Sequence, residues 1–361
     1  MKRLVYISLF LNFLKGADAV TTRKFFVTSV LLVMMSLVGC SDKEKETVRR
    51  RGTFAMDTYM ELTAYGDNAE AALTAAEERI HELEDKFSVN IENSDIWRVN
   101  HSGGESASVG EDTQKLVETA LELGRETNGT LDITLYPVTA AWGFTTENYR
   151  IPSDEELDRL LEGVGWQNVS ADGGQITVPD GAMIDLGAVA KGYTSDELME
   201  ELRENGVESA IVSLGGNVHA LGRKHDGSCW RVAVRNPFAP EADMCSVEIE
   251  DCAVITSGSY ERCFTGDDGI SYCHIIDPET GRPVRNGLVS VTVIGKSGVR
   301  CDGLSTALFV MGAEKALDFW RKNEGFELIL VNDEREILYT DGLSESFANL
   351  SDMTAEVVSR A

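Results

Sequence analysis

The chain has 361 residues, 43% hydrophobic and 26% charged, with 33 Lys and Arg against 60 Asp and Glu for a formal charge of −27. These proportions belong to a globular protein and exclude a disordered, collagen-like or multi-span membrane chain. The acidic balance excludes a general nucleic-acid binder, which needs clustered Lys and Arg, so an anionic ligand has to be met by local devices.

Near the start, Arg23-Lys24 precedes an apolar stretch from Phe25 to Val38, followed by Gly39 and Cys40. A basic pair, a short apolar run and small residues are the layout of an export signal, and the run is short of the about 20 apolar residues of a spanning helix. Leu37-Val38-Gly39-Cys40 resembles the bacterial lipoprotein box, which makes Cys40 the expected lipidation site. Residues 1–39 are read as the signal, its start site open because residues 1–20 add a second apolar patch. Residues 40–51 are read as the lipidated Cys and a solvated tether, 52–345 as the folded domain and 346–361 as a C-terminal tail. The implied location is the outer face of a bacterial cell membrane.

Along the body, Met60, Leu62 and Ala64 alternate with polar residues and predict a half-buried strand ending at Gly66. Ala69, Ala72, Leu73, Ala76, Ile80 and Leu83 have helical spacing, as do Leu116, Val117, Ala120, Leu121 and Leu123 after Asp112. Ser153-x-x-Glu156 is a capping box that announces a third helix over Leu157, Leu160 and Leu161. After Gly173 come short β-rich runs: QITV, MIDLG, AIVSLGG, RVAVRN, AVITSG, LVSVTVIG, ELILV and EILYT. Two helices interrupt them, one from near Gly187 to Asn205-Gly206, the other from about Gly303 through Met311. Without strict βαβ alternation the class is α+β, a β-rich body with interspersed helices. Cys229, Cys245, Cys252, Cys263, Cys273 and Cys301 contain no C-x-x-C pair, which gives zinc no spacing support. They either pair or pack as small buried residues.

The nucleotide-binding signatures GxxxxGK[ST] and GxGxxG after a strand are missing, as are H-E-x-x-H and G-x-S-x-G. Polar residues instead punctuate strand ends. Asp185 ends the run MID, and Lys191 falls in the first turn of the next helix, where free N–H groups favour an anion and a Lys is out of place for helix stability. The alternative is Asp185 as an N-cap paired with Lys191 at the surface. Asp302 and Thr306, i and i+4 with Asp302 beginning a helix, can offer two oxygen ligands to a hard cation such as Mg²⁺, or be a cap and a buried hydroxyl. His274 is expected on a strand before the turn Asp277-Pro278-x-x-Gly281, flanked by apolar Ile275 and Ile276, as a core residue or a catalyst. Leu214-Gly215-Gly216-Asn217 lets backbone approach a ligand or turns a hairpin.

Taken together and in order, GTFAMDTYMEL, GTLDITLYPV with AAWGF, DLGAVAKGY, SLGGN, AVITSGSYER, HIIDPETGRPV, NGLVSVTVIG and CDGLSTALFVMG resemble the ApbE family of flavin transferases, from about Gly52 to Thr340. The resemblance implies an α+β fold of T-fold-related architecture and Mg²⁺-dependent transfer of FMN from FAD to a Thr hydroxyl of a partner, releasing AMP. It implies FAD contacts at Met56, Thr130, Leu131, Asp132, Asp185, Lys191 and Ile276. The metal ligands would be the Ala188 carbonyl with the side chains of Asp302 and Thr306. His274 would be the general base, with Lys191 and Asp302 completing the catalytic set. Asn90 stands where some members carry a flavin-stacking Tyr, leaving Phe87 or Tyr136 to substitute. The implied acceptors are exported Thr-containing domains of membrane redox proteins. A hydrolase giving FMN and AMP would use the same clamp, and a lipid-anchored flavin-binding protein without chemistry would share the motifs but not the need for a metal.

Overall fold

The computed structural model describes residues 47–360; the export signal, the lipidation site Cys40 and residues 41–46 of the expected tether lie outside the described residues. The chain enters as β1 (Val48–Ala55), paired along its whole length with β2 (Thr58–Tyr65). Residues 48–51, read as tether, are therefore strand. Their polar side chains hide the pattern, because β1 is an edge strand held by its main-chain ladder and by Arg49 and Arg51 reaching Glu70 and Glu77. Helix α1 (Ala69–Phe87) buries every apolar residue named for it, and α2 (Asp95–Asn100) follows. Beyond β3 (Ala107–Ser108), α3 (Glu111–Glu126) buries Leu116, Val117, Ala120 and Leu123, with Leu121 only partly covered.

Helices α4 (Tyr136–Ala141) and α5 (Asp154–Leu161) come next. Ser153 caps α5 by accepting the Glu156 N–H at 3.2 Å, but the Glu156 carboxylate binds Arg150 instead of closing the box. Leu157 is buried, while Leu160 and Leu161 are half-buried. Strands β4 (Ser170–Asp172) and β5 (Gln175–Thr177) form a small sheet with β3. The run MIDLG makes no strand: the chain there is irregular, pinned by the Asp185 N–H on the Ile133 carbonyl at 2.8 Å. The following helix α6 (Ala190–Glu204) starts three residues later than expected and ends, as read, at Asn205.

The rest builds two sheets. Strands β6 (Ser209–Leu214), β7 (Asn217–Leu221) and β10 (Ala253–Gly258) extend the main sheet, while β8 (Trp230–Asn236) and β9 (Ala239–Ile249) leave it. Short hairpins β11 (Cys263–Thr265) with β12 (Ser271–Cys273) and β13 (Ile276–Asp277) with β14 (Arg282–Pro283) follow, leaving His274 between strands. Then come β15 (Leu288–Gly295), α7 (Gly298–Met311), α8 (Ala313–Lys322), β16 (Phe326–Asn332) and β17 (Glu336–Thr340). Helix α7 starts at Gly298 with Ser297 as its cap, so Asp302 lies one turn inside it and does not begin it. The expected tail folds: β18 (Phe347–Asn349) pairs with β9, and β19 (Thr354–Val358) closes the main sheet parallel to β17.

The main sheet has the order β1-β2-β6-β7-β10-β15-β16-β17-β19, and the second sheet the order β18-β9-β8. Alternation in the central strands feeds both faces. Ile255, Val291, Val293, Leu328 and Leu330 join the core under the helices. Val254, Ile294, Ile329 and Val331 join the core shared with β8 and β9. A fully buried aliphatic side chain contributes about 1.5–3 kcal/mol, so a sheet buried on both faces is the rigid platform of the molecule. All six body cysteines are free thiols, with Cys245, Cys273 and Cys301 buried.

Candidate active site

One cavity of about 960 Å³ opens where the β1–β2 and β6–β7 turns, the starts of α6 and α7 and the chain around His274 converge, and that volume suits a large cofactor-sized ligand. Met56, Thr130, Leu131, Asp132, Asp185, Ala188, Lys191, His274, Ile276, Asp302 and Thr306 all line it. Residues 250 apart in sequence thus meet at one surface.

Met56 and Asp57 form the two-residue turn between Ala55 and Thr58, with φ of 50° and 58°. Such hairpins usually place Asn-Gly or Asp-Gly there. Met56 is held in this strained form by its N–H donating to Glu84 Oε1 at 2.6 Å and by the Thr194 hydroxyl 3.7 Å from its Sδ. The second turn uses Gly215 and Gly216, with φ of 62° and 97°. A Cβ on Gly215 would sit 2.4 Å from the Thr58 hydroxyl. This glycine pair turns a hairpin and packs it against its neighbour at the cavity rim.

Helices α6 and α7 cap each other. Asp302 of α7 accepts the Gly192 N–H in the first turn of α6 at 2.8 Å, while Asp196 of α6 accepts the Gly298 and Val299 N–H groups at 2.6 and 2.9 Å. The exchange requires near contact of the backbones: a Cβ on Gly192 would lie 2.3 Å from the Gly298 carbonyl oxygen. Asn217 donates to the other Asp302 oxygen at 2.9 Å. Burial still pushes the Asp302 carboxyl up from the usual carboxylate range, against the pull of Lys191 and these two donors. Asp185 is raised by burial too, against the Gly187 N–H and Lys191. It is not the cap of α6, whose N-cap is Val189; its Oδ1 accepts the Gly187 N–H at 2.7 Å.

Asp302, Thr306 and Ala188 line one cavity, and a buried carboxylate with a hydroxyl and a backbone carbonyl is a hard-oxygen donor set that fits a magnesium ion. Among the described residues no cluster of three or more His, Cys, Asp or Glu could form an all-protein cage. Ser257 orients Thr306, its Oγ 3.2 Å from the Thr306 hydroxyl and 2.7 Å from that of Ser305.

His274 is pushed down to about 4, first by burial and then by Arg262, so it is neutral at pH 7. Its Nδ1 lies 3.3 Å from the Arg262 carbonyl; an Nδ1–H donating there leaves Nε2 free to take a proton. Asp132 is committed elsewhere: one oxygen accepts the Thr134 N–H at 2.9 Å and the other the Trp166 N–H at 3.0 Å. The Thr130–Asp132 turn therefore offers the cavity its backbone more than its carboxylate. Asn90, Phe87 and Tyr136 all line the cavity. Phe87 is only 5% exposed and packs edge-on against Tyr193, whereas Tyr136 is half-buried, which leaves Tyr136 the freer ring for stacking.

Reading by motif passed over Glu84 and the roles of Asn217 and Ser257. Asn217 closes the glycine turn and Ser257 ends AVITSG, so both sat inside noticed segments, and only the fold joins them to Asp302 and Thr306.

The description "ApbE family" belongs to a family model that matches residues 56–330. The chain is 32% identical over 314 residues to an FAD:protein FMN transferase of Vibrio cholerae, covering 84% of this chain and 93% of that one. It is 31% identical over 338 residues to an FAD:protein FMN transferase of Escherichia coli K12, covering 88% and 95%. Among solved structures, the ApbE protein of Thermotoga maritima superposes with a TM-score of 0.78 at 32% identity, covering 83% of this chain and 99% of that one. The flavinyl transferase ApbE of Pseudomonas stutzeri does so with a TM-score of 0.76 at 31% identity, covering 84% and 98%.

Proposed function

This chain belongs to the ApbE family, and from that premise we propose that it transfers FMN from FAD to a Thr hydroxyl of an acceptor protein with the help of Mg²⁺, releasing AMP. The flavin-transferring activity follows from its relatives, each named FAD:protein FMN transferase. The observation that carries the finer reading is the convergence of Asp302, Thr306, Lys191 and His274 on one cavity.

The acceptor Oγ attacks the phosphorus on the FMN side of the diphosphate, the bridging P–O bond breaks, and AMP leaves with the bond electrons. When bound, Mg²⁺ would be held by Asp302, Thr306 and the Ala188 carbonyl and would supply charge neutralisation at the diphosphate. Lys191, in the first turn of α6 with Nζ 3.5 Å from the Gly187 carbonyl, adds a cation beside helical N–H groups. These groups act on charge that grows in the transition state. Neutral His274 takes the hydroxyl proton on Nε2. Water in place of the hydroxyl would give FMN and AMP by the same path. On the Leu37–Cys40 motif we further place the enzyme, lipid-anchored at Cys40, on the outer face of the cell membrane, acting on exported domains of membrane redox proteins.

The test is intact-protein mass spectrometry of a Thr-containing acceptor domain incubated with the full chain, FAD and Mg²⁺, with a chelator control. Gain of one FMN-phosphoryl unit only with metal is expected. Free FMN and AMP beside an unmodified acceptor would mean a hydrolase.

A further inference from the structure

Strand β8 is the outer strand of the second sheet. The Glu248 N–H donates to Ser346 at 3.1 Å and the Leu350 N–H to Met244 at 2.9 Å, so the even-numbered residues of β9 face β18. Backbone direction alternates along an antiparallel strand, so Cys245, Val247 and Ile249 face β8, where their partners are Val234, Val232 and Trp230. The N–H and C=O groups of Arg231 and Ala233 therefore point away from the sheet. Among the described residues these two have no backbone partner in a turn or loop.

That open edge looks onto a groove of about 530 Å³, whose far wall is the face of β1 and β2 carrying Arg50, Tyr59 and Glu61. Tyr59 and its cross-strand partner Phe54 are 59% and 67% exposed, a pair of uncovered aromatic rings beside the groove. Groove and cavity are continuous: Ser213, Val218, Val232 and Ala233 line both. Along β8, Arg231 belongs to the groove alone, Ala233 to both, and Arg235 to the cavity alone. The free edge is a track that ends at the place of chemistry.

We propose that the acceptor polypeptide binds as an added strand on the open edge of β8. Arg231 and Ala233 exchange N–H···O=C bonds with it, its side chains rest on Tyr59 and Phe54, and its Thr enters the cavity just past Ala233. The continuity of the edge with the cavity is what selects this occupant: an extended segment lying on Arg231 and Ala233 is delivered by the pairing itself to the reacting centre. Backbone pairing supplies affinity without demanding one sequence, as in other strand-addition complexes. The inference rests on the transferase reading.

Arg231→Pro tests it, because proline deletes the outward N–H while the bonds to β9, made by Trp230 and Val232, remain; edge positions accept proline. In the full chain, KM for the acceptor domain that gains FMN is expected to rise about tenfold, with FAD affinity unchanged. Amide hydrogen exchange on the wild type gives a reading independent of the variant's folding: the Arg231 and Ala233 N–H groups should gain protection when acceptor is added. An unchanged acceptor KM in a folded Arg231→Pro variant, or no protection at these amides, overturns the site while leaving the transferase intact. A Tyr59 face covered by a second copy, seen as acceptor-independent dimerisation lost in Arg231→Pro, also overturns it. Wild-type enzyme that splits FAD without modifying any acceptor overturns the transferase reading, and this site with it.

Discussion

Asp302 does two jobs with one carboxylate. It accepts the Gly192 N–H and the Asn217 amide, which hold it in place, and it faces the cavity as a negative charge taken out of water. Asp302→Asn removes the charge at nearly constant shape. The variant is expected to fold at least as stably as wild type without metal, to show no rise in Tm with millimolar Mg²⁺ where wild type is expected to show one, and to lose at least a hundredfold in transfer. Scanning calorimetry with and without Mg²⁺ checks it, and a preserved Mg²⁺ shift would remove Asp302 from the ligand set. His274 calls for a different readout. With His274 as the proposed base the neutral ring is the active form, and desolvation carries it to about 4, so the acid limb of kcat/KM for transfer should fall below the ordinary imidazole value of about 6.5. His274→Asn should lower kcat by about 10²–10⁴ with FAD affinity retained. At this scale the sequence was legible where residue type limits chemistry, as for Asp302, Thr306 and His274. It was not legible for Glu84, whose role depends on a hairpin turn 28 residues away.

Among the elements, the pairing of α6 with α7 sets the position of the site. Each helix supplies the carboxylate that satisfies free N–H groups at the start of the other, and Gly192 and Gly298 allow the approach. Gly192→Ala would force a methyl against the Gly298 carbonyl and the Asp302 Cβ, and overpacking of this kind costs about 1–3 kcal/mol. The expected result is a lower urea midpoint together with a weakened Mg²⁺ response, and an unchanged midpoint would mean the helices separate freely. Apolar periodicity made most helices and central strands readable, because their cores lie on one or two well-defined faces. It failed for β1, whose polar residues are ordered by a main-chain ladder, and for β18 and β19, short pieces whose partners precede them by as much as about a hundred residues. The start of α7 was misplaced because Gly298-Val-Arg carries no periodic signal, its stability coming from Asp196 of another helix.

For the whole molecule, two histidines held neutral contribute to the acid response. His219 is 4% exposed and burial pushes it down to about 4, as it does His274. With a folded value below the unfolded one of about 6.5, each contributes stability that is fully present above pH 6.5 and is lost as pH falls toward 4, because the unfolded chain takes up the proton first. Asp112, held down to about 2 by Arg79 and Lys86 against its burial, extends the loss below pH 4. Asp185, Asp196 and Asp302, raised by burial, act in the opposite sense above their unfolded value of about 3.9, inside the histidine window, because there the folded chain takes up the proton first. The histidine contribution to Tm should therefore decline between pH 6.5 and 4, and His219→Gln should lose less Tm than wild type over that range. A profile equally steep in the variant would place the titration elsewhere. The fold class and the membership of the cavity were legible from the ordered run of motifs. The continuity of groove and cavity was not, since it arises between two sheets whose strands alternate along the chain.

The cavity draws on Met56 at one end of the chain and Thr306 at the other, and the sheet beneath it is completed only by β19. During synthesis, a chain cut short before residue 306 lacks part of the cavity wall, however much of β1, β2 and α1 has formed. The complete cavity thereby forms only after most of the chain has been made. Assembly of the site waits on long-range pairings, which are slow by topology.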